Sequence, residues 1–451
     1  MKSHNYGRRG LFLILGLSAW LLSSGVDGAQ PEPETPGTGV RQGQADFYTE
    51  EATLRAYIQE ALAGNPSIQE ALARYQAAVE KVPQVSDLPD PMFGFNQAIR
   101  SVETRVGPQV NSFTLSQAFP WFGTLDLRGK VATQEAAAWD QLYMARQREV
   151  IARVKKAYYG LGYVDAAVRI AEEDITLLEH YEGLAQTRYA TGQGLQQAVI
   201  KLQAEITRVI DRLNTLNQQR VSLVGNLNTL MDRPPHEPLP RVALASPPSV
   251  ALNLQELYEL GEANRQELKA AAALIERGER SIDLAKKEPW PDFMVSAGFI
   301  NVGKRDDPAG VMQPPPDNGK NAFSLGVGIT IPIWQGKYDG GVQQAAAELS
   351  AQRSNYATVR NEMEFSIRDQ VIRIETLQEQ VRLFENVLIV QTEEVLRSTE
   401  AAYETGQLGV LELLDSERVL LDVRLMNARH YSDHLTALAD LERAVGTKFP
   451  R

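Results

Sequence analysis

One arrangement is written twice in this chain, and it leaves few folds open. In residues 112–119, Phe113, Leu115 and Phe119 alternate with Ser112, Thr114, Ser116 and Ala118. Period-two alternation makes a strand with one apolar and one polar face. Pro120 then ends the ladder, Trp121 and Phe122 follow, and residues 126–189 contain no proline and only four glycines. The same order returns at Ser324, with Leu325, Val327, Ile329 and Ile331 on the apolar face, then Pro332 and Trp334, then a proline-free run over 338–403. At 1.5 Å per residue these runs predict helical rods of roughly 95 and 100 Å, which need coiled-coil-like partners along their length.

Other landmarks repeat in register. Tyr189-Ala-Thr-Gly-Gln193 matches Tyr403-Glu-Thr-Gly-Gln407 at an offset of 214, and Pro89-Asp90 resembles Pro291-Asp292. Each copy reads helix, strand, strand, long helix, returning helix. The first structural repeat covers 50–233, with strands at about 92–99 and 111–119. A proline-rich linker covers 234–249. The second repeat covers 250–448, with strands at about 292–301 and 322–331. Residues 100–110 and 302–321 read as loops.

Two strands per repeat cannot cover their own apolar face, and four strands per chain cannot close a barrel. Closure requires several copies, and lipid requires closure because no backbone group there is left unpaired. A trimer supplies twelve strands of a length suited to a tilted crossing. Trp121, Trp290 and Trp334 stand at the helix-proximal ends of the strands, where an interfacial aromatic girdle is expected. On the last helix, Leu411, Leu414, Leu421, Leu425, Ala428 and Leu435 form a heptad seam interrupted by Arg418, and Leu413, Leu420 and Val423 form a second strip. Two strips suit a helix with neighbours on both sides, in a ring or in a four-helix bundle.

The N-terminus reads as a secretory signal over 1–28: Lys2, Arg8 and Arg9, an apolar run over 11–22, and a small-residue site at Val26-Asp-Gly28. A flexible lead-in covers 29–49, and 449–451 form a tail. The chain has no cysteine, which excludes disulfides, thiolate catalysis, cysteine-held metals and lipidation of an N-terminal cysteine. A formal net charge of -11 gives a nucleic-acid role no electrostatic support.

Sites for chemistry are sparse. His430 and His434 have a one-face spacing without the glutamate of a zinc-protease helix, and read as two partly exposed histidines. Glu172-Glu-Asp174 reads as a solvated helix face. Gly160-x-Gly162 falls inside a helix, so it is no nucleotide loop. No catalytic residue, metal site or cofactor is expected.

The ordered set Leu88-Pro-Asp-Pro-Met92, Pro120-Trp-Phe-Gly123 with Leu127-Arg128, Tyr189-x-x-Gly192, Tyr403-x-x-Gly406 and Val410-Leu-Glu-Leu-Leu-Asp415 resembles the TolC-like outer-membrane efflux family, nearest in motif to its heavy-metal branch. That resemblance implies a mostly α, tandemly duplicated chain that joins a homotrimer with a twelve-stranded transmembrane β-barrel and a long periplasmic helical barrel. It implies an outer-membrane conduit, not an enzyme, working with an inner-membrane efflux pump and a periplasmic adaptor protein. The hairpin tips at Tyr189, Gly192, Tyr403 and Gly406 would meet those partners. Glu412 and Asp415 fall where relatives carry acidic gate rings. Three residues apart, they share a helix face. A basic residue that relatives carry after the second tip glycine is absent, since Leu408 and Gly409 stand there. The alternative reading is a non-channel coiled-coil scaffold of the cell envelope.

Overall fold

The computed structural model describes residues 52–244 and 246–448. The expected signal, lead-in and tail lie outside the described residues. The first repeat runs α1 (Ala52–Gly64), α2 (Pro66–Ser86), β1 (Met92–Thr104), β2 (Gly107–Phe119), α3 (Thr124–Ala190) and α4 (Gln196–Leu230). The second runs α5 (Leu254–Asn264), α6 (Gln266–Ala285), β3 (Phe293–Val302), a short α7 (Pro308–Met312), β4 (Ala322–Ile329), α8 (Gln335–Leu383), a π turn (Phe384–Leu388), α9 (Ile389–Glu404) and α10 (Val410–Val445).

Local chemistry sets the breaks. The Asn65 side chain accepts from the Ser67 amide and caps α2, whose first residue is Pro66, where a missing N–H costs nothing. Gly192 and Gly406 hold φ of 75° and 78° at the two helical tips, a left-handed conformation that favours glycine and turns each rod back on itself.

The four strands form one antiparallel sheet in the order β1-β2-β3-β4. The register aligns Phe95, Phe113, Phe299 and Phe323 across it, and one strand step on it aligns Phe93, Leu115, Ala297 and Leu325. Successive rings in the first row lie 5.2, 6.1 and 5.0 Å apart. The opposite face carries Gly94, Thr114, Gly298 and Ser324 in one row and Met92, Ser116, Ser296 and Gly326 in the next. One face is therefore bulky and apolar, the other mostly small and polar, with Met92 and Met294 toward its helix-proximal end. No helix among the described residues is long and apolar enough to cross a membrane.

Three segments differ from the sequence reading, the simplest being 302–321, read as a loop, which holds the short helix α7. Residues 100–110 are no loop: β1 and β2 continue through them as a hairpin, with Arg105 and Val106 at its turn. Polar side chains there hid the strand, and pairing with a neighbour supplied what propensity did not. The second rod is not a continuous α-helix either, because the π turn inserts one looser turn at Phe384–Leu388.

The long helices pack across the repeats. α3 lies against α2 and α4 of its own repeat and against α6 and α10 of the other. One core joins Leu178, Tyr181 and Ala185 of α3 with Leu202 and Val209 of α4, Leu396 and Tyr403 of α9, and Leu413 and Leu420 of α10. The proline-rich linker is fixed rather than loose. Asp165 on α3 accepts from Arg220 Nε at 2.6 Å and from the Val242 amide at 2.8 Å. Leu244 crosses α3 at Gly162, where a Cβ would lie 2.4 Å from Leu244 Cδ2. Gly162 in mid-helix is thus the space for the linker, whereas Gly160 faces Leu223 of α4.

Candidate functional site: strand joint, helical tips and a buried acidic centre

Three places carry the features that a conduit would use. The first is the joint between sheet and helices. The Trp121 amide donates to Asp292 Oδ1 at 2.9 Å, the Asp292 amide donates to Thr330 Oγ1 at 2.8 Å, and the Thr330 amide donates back to the Asp292 carbonyl at 3.0 Å. Asp292 so ties the ends of β2, β3 and β4 together. Trp121 stacks on Trp290 at 4.9 Å and on Phe293 at 5.6 Å. Trp334 sits at the same end, before α8, and is largely exposed, as is Phe122. The aromatics stand where a strand becomes a rod.

The second place is the pair of tips. Their tyrosines are not equivalent: Tyr189 is half exposed, whereas Tyr403 is buried. Arg188 accounts for the difference. Its guanidinium lies 5.2 Å from the Tyr403 ring centroid and donates to the Tyr403 carbonyl. It also occupies the space above Gly406, where a Cβ would meet Arg188 Nη2 at 2.8 Å. One side chain of the first repeat thus fastens the tip of the second. The sequence reading missed Arg188, although an arginine beside one tip tyrosine and absent beside the other was visible. Glu412 and Asp415 are both exposed, on the side of α10 away from the buried Leu413, Leu414 and Leu420.

The third place was not foreseen. Asp174, read as part of a solvated face, is buried, while Glu172 and Glu173 are exposed. The heptad seam also needs correction. Leu411 is 57 % exposed, and the buried stripe runs Val410, Leu413, Leu414, Glu417, Leu420, Leu421. Leu414, Leu421 and Leu425 of the seam and Leu413 and Leu420 of the second strip are all buried, so the buried face spans both strips; the polar residue inside it is Glu417, while Arg418 lies exposed at its margin. Glu417 is 1 % exposed and meets Asp174 of α3, carboxyl to carboxyl. Apart from a proton held between it and Asp174, no hydrogen-bond donor reaches either Glu417 oxygen. Burial, the hydrogen bond to Asp174 and the charges of Asp174 and Glu205 push the Glu417 carboxyl up to about 9. Burial also raises Asp174, against the Glu417 contact and the more distant Arg212 and Arg424. Glu205, equally buried, behaves differently. Burial opposes its charge, but Arg418 and Arg208 both bond to it and hold it below the usual carboxylate range.

Elsewhere, His434 is buried rather than partly exposed, and His430 stacks edge-on against Phe384 of the π turn at 4.9 Å. Among the described residues no group of three or more histidine and acidic side chains could hold a metal ion. A cavity of about 580 Å³ lies between α3, the linker and α10, and its arginines Arg169, Arg241 and Arg424 already pair with Glu173, Glu172 and Glu393.

The comparison with known proteins falls on the two repeats separately. The family model described as outer membrane efflux protein matches residues 57–232 and again 257–447. The chain belongs to the outer membrane efflux protein family. Among curated relatives, it is 24% identical over 332 residues to the outer membrane protein TolC of Vibrio cholerae, covering 70% of this chain and 72% of the relative. It is 20% identical over 453 residues to the cobalt-zinc-cadmium resistance protein CzcC of Cupriavidus metallidurans, covering 97% of this chain and 100% of the relative. The solved structure of the outer membrane protein VceC from Vibrio cholerae matches with a TM-score of 0.72 at 20% identity, over 88% of this chain and 97% of that one. The chain is therefore an efflux channel protein of the outer membrane with the TolC-like fold, and the scaffold alternative falls away.

Proposed function

We propose that three copies of this chain form a continuous conduit, the outer-membrane part of a tripartite efflux system with an inner-membrane pump and a periplasmic adaptor. The observation that carries the reading is the sheet. Among the described residues its apolar face has no cover, and β1 and β4 each have one edge with no partner strand. Edge-to-edge joining of three four-stranded sheets satisfies those edges, turns the phenylalanine row to lipid and leaves the glycine and serine rows to line a lumen. Trp121, Trp290 and Trp334 then lie at one headgroup level.

The rods continue that lumen, and the tips at Tyr189, Gly192, Tyr403 and Gly406 meet the adaptor or pump. Glu412 and Asp415, exposed beside the tip, would form rings of carboxylates that favour cations in a narrow passage. Similarity to the cobalt-zinc-cadmium resistance protein over nearly the whole chain supports heavy-metal cations as cargo. The conduit itself does no bond chemistry; it conducts.

Conductance of the purified protein in planar bilayers tests the reading. Discrete channels are expected, with Glu412→Ala and Asp415→Ala together reducing block by divalent cations. Absence of channels would overturn the conduit, and unchanged block would overturn the gate. Loss of the gene in its host should sensitise cells to cobalt, zinc or cadmium salts; unchanged tolerance to all three would remove metals as cargo.

A further inference from the structure

Asp174 and Glu417 meet across the boundary between the two helical hairpins, α3–α4 and α9–α10. Charged groups face the pair from the neighbouring elements. From α4 come Glu205 and Arg212, with Arg208 bound to Glu205; from α10 itself, Arg418 and Arg424; and from α3, the phenol of Tyr181, which also feels Glu400 and Glu404 of α9. The arginines are engaged elsewhere. Arg208 and Arg418 hold Glu205, Arg212 pairs with Asp422 at 3.3 Å, and Arg424 pairs with Glu393 at 2.7 Å. Glu400 and Glu404 add only negative charge, and Tyr181 is fully buried with no partner for its hydroxyl.

Two ionised carboxylates are both acceptors, so they cannot bond to each other. In contact and out of water, without a cation, the pair is stable only with a proton between its oxygens. Glu417 lies two turns into α10 from the tip, inside the core that joins Leu178 and Tyr181 to Leu413 and Leu420.

We propose that the Asp174–Glu417 pair is a proton-dependent latch between the two hairpins, closed while the carboxyls share a proton and released when that proton leaves. On release, repulsion between two buried carboxylates drives α10 off α3, water enters, and the α9–α10 tip swings away from Arg188. The raised position of Glu417, about 9, places release on the alkaline side of neutrality. That the swing opens a passage rests on the conduit reading; the latch itself does not.

The test separates the two. The chain has no native cysteine, so Gln193→Cys and Gln407→Cys report the distance between the two tips through spin labels, with labelled chain diluted into unlabelled. Both positions are exposed. The full-length protein should show an infrared band for a protonated carboxyl at neutral pH, absent in Glu417→Gln. The tip-to-tip distance should widen as pH rises through about 9 and stay constant in Glu417→Gln, whose amide donates to Asp174 without a shared proton. Asp174→Asn with Glu417→Gln, neutral on both sides, should also hold the tips together. No protonated carboxyl at neutral pH, or tip distances that follow pH equally in wild type and Glu417→Gln, would overturn the latch. A protein that fails to conduct but shows both signals would keep the latch and lose the conduit.

Discussion

At the scale of single residues, carboxylates decide most of what is specific here, each by what surrounds it. Asp165 is almost fully buried and holds both Arg220 and the Val242 amide. Asp165→Ala leaves a guanidinium and a buried N–H without their acceptor, at a cost of about 3 kcal/mol or more. The linker should then lift from α3, and trypsin should cut after Arg241 in the variant while sparing the parent. Glu417 acts in the opposite sense. Its carboxyl is pushed up to about 9 in the folded chain from an ordinary 4.5. Between those values the folded chain keeps a proton that the unfolded chain has released. Stability therefore falls as pH rises through that window, by up to about 1.4 kcal/mol per pH unit for one proton. Thermal unfolding of the detergent-solubilised protein should show that decline, and Glu417→Gln should flatten it. An unchanged slope would mean that Glu417 ionises in place.

At the scale of elements, the sheet and the tips make separate demands. Leu325 is 87 % exposed on the apolar face, and Ser324 is its neighbour on the polar face. If the apolar face meets lipid, Leu325→Lys costs about 2–4 kcal/mol at the membrane midplane, whereas Ser324→Lys is tolerated in a lumen. The amount of each variant recovered in the outer-membrane fraction checks this, and equal recovery would mean the faces are wrongly assigned. At the tips, Arg188→Ala removes the donor to the Tyr403 carbonyl and the cation over its ring, so the second tip should loosen and mean channel conductance rise. Tyr189→Ala, at the exposed counterpart, should leave conductance unchanged.

The elements were also where the sequence was most readable. Alternation followed by Pro120 or Pro332, the two Tyr-x-Thr-Gly tips and the proline-free runs are local signals, and local signals mark strands, turns and helix ends well. The continuation of β1 to Thr104 and β2 back to Gly107 was not readable, because it depends on cross-strand pairing. Nor was the π turn, which leaves no mark in composition. The candidate site was legible in part. Trp121 and Trp290 follow from their place beside proline, and their stacking does not. Arg188 and Glu417 gain their meaning only from the other repeat, some 215 and 243 positions from Tyr403 and Asp174.

At the scale of the whole molecule, duplication and incompleteness belong together. Each repeat supplies two strands and two long helices, and the family model recognises each repeat separately. Packing of α6 and α10 on α3 joins the repeats within one chain. Among the described residues no strand covers the outer edges of β1 and β4, and on the proposed assembly other copies of the chain finish the sheet. Oxidative crosslinking across those edges shows whether separate copies meet there. The chain lacks cysteine, so pairs placed singly along Phe95–Ile99 of β1 and Phe323–Val327 of β4 report only the designed contact. In one register, oxidation in the outer membrane should give covalent dimers and trimers and stop at three. No crosslink in any register, or a ladder that continues past three, would contradict it.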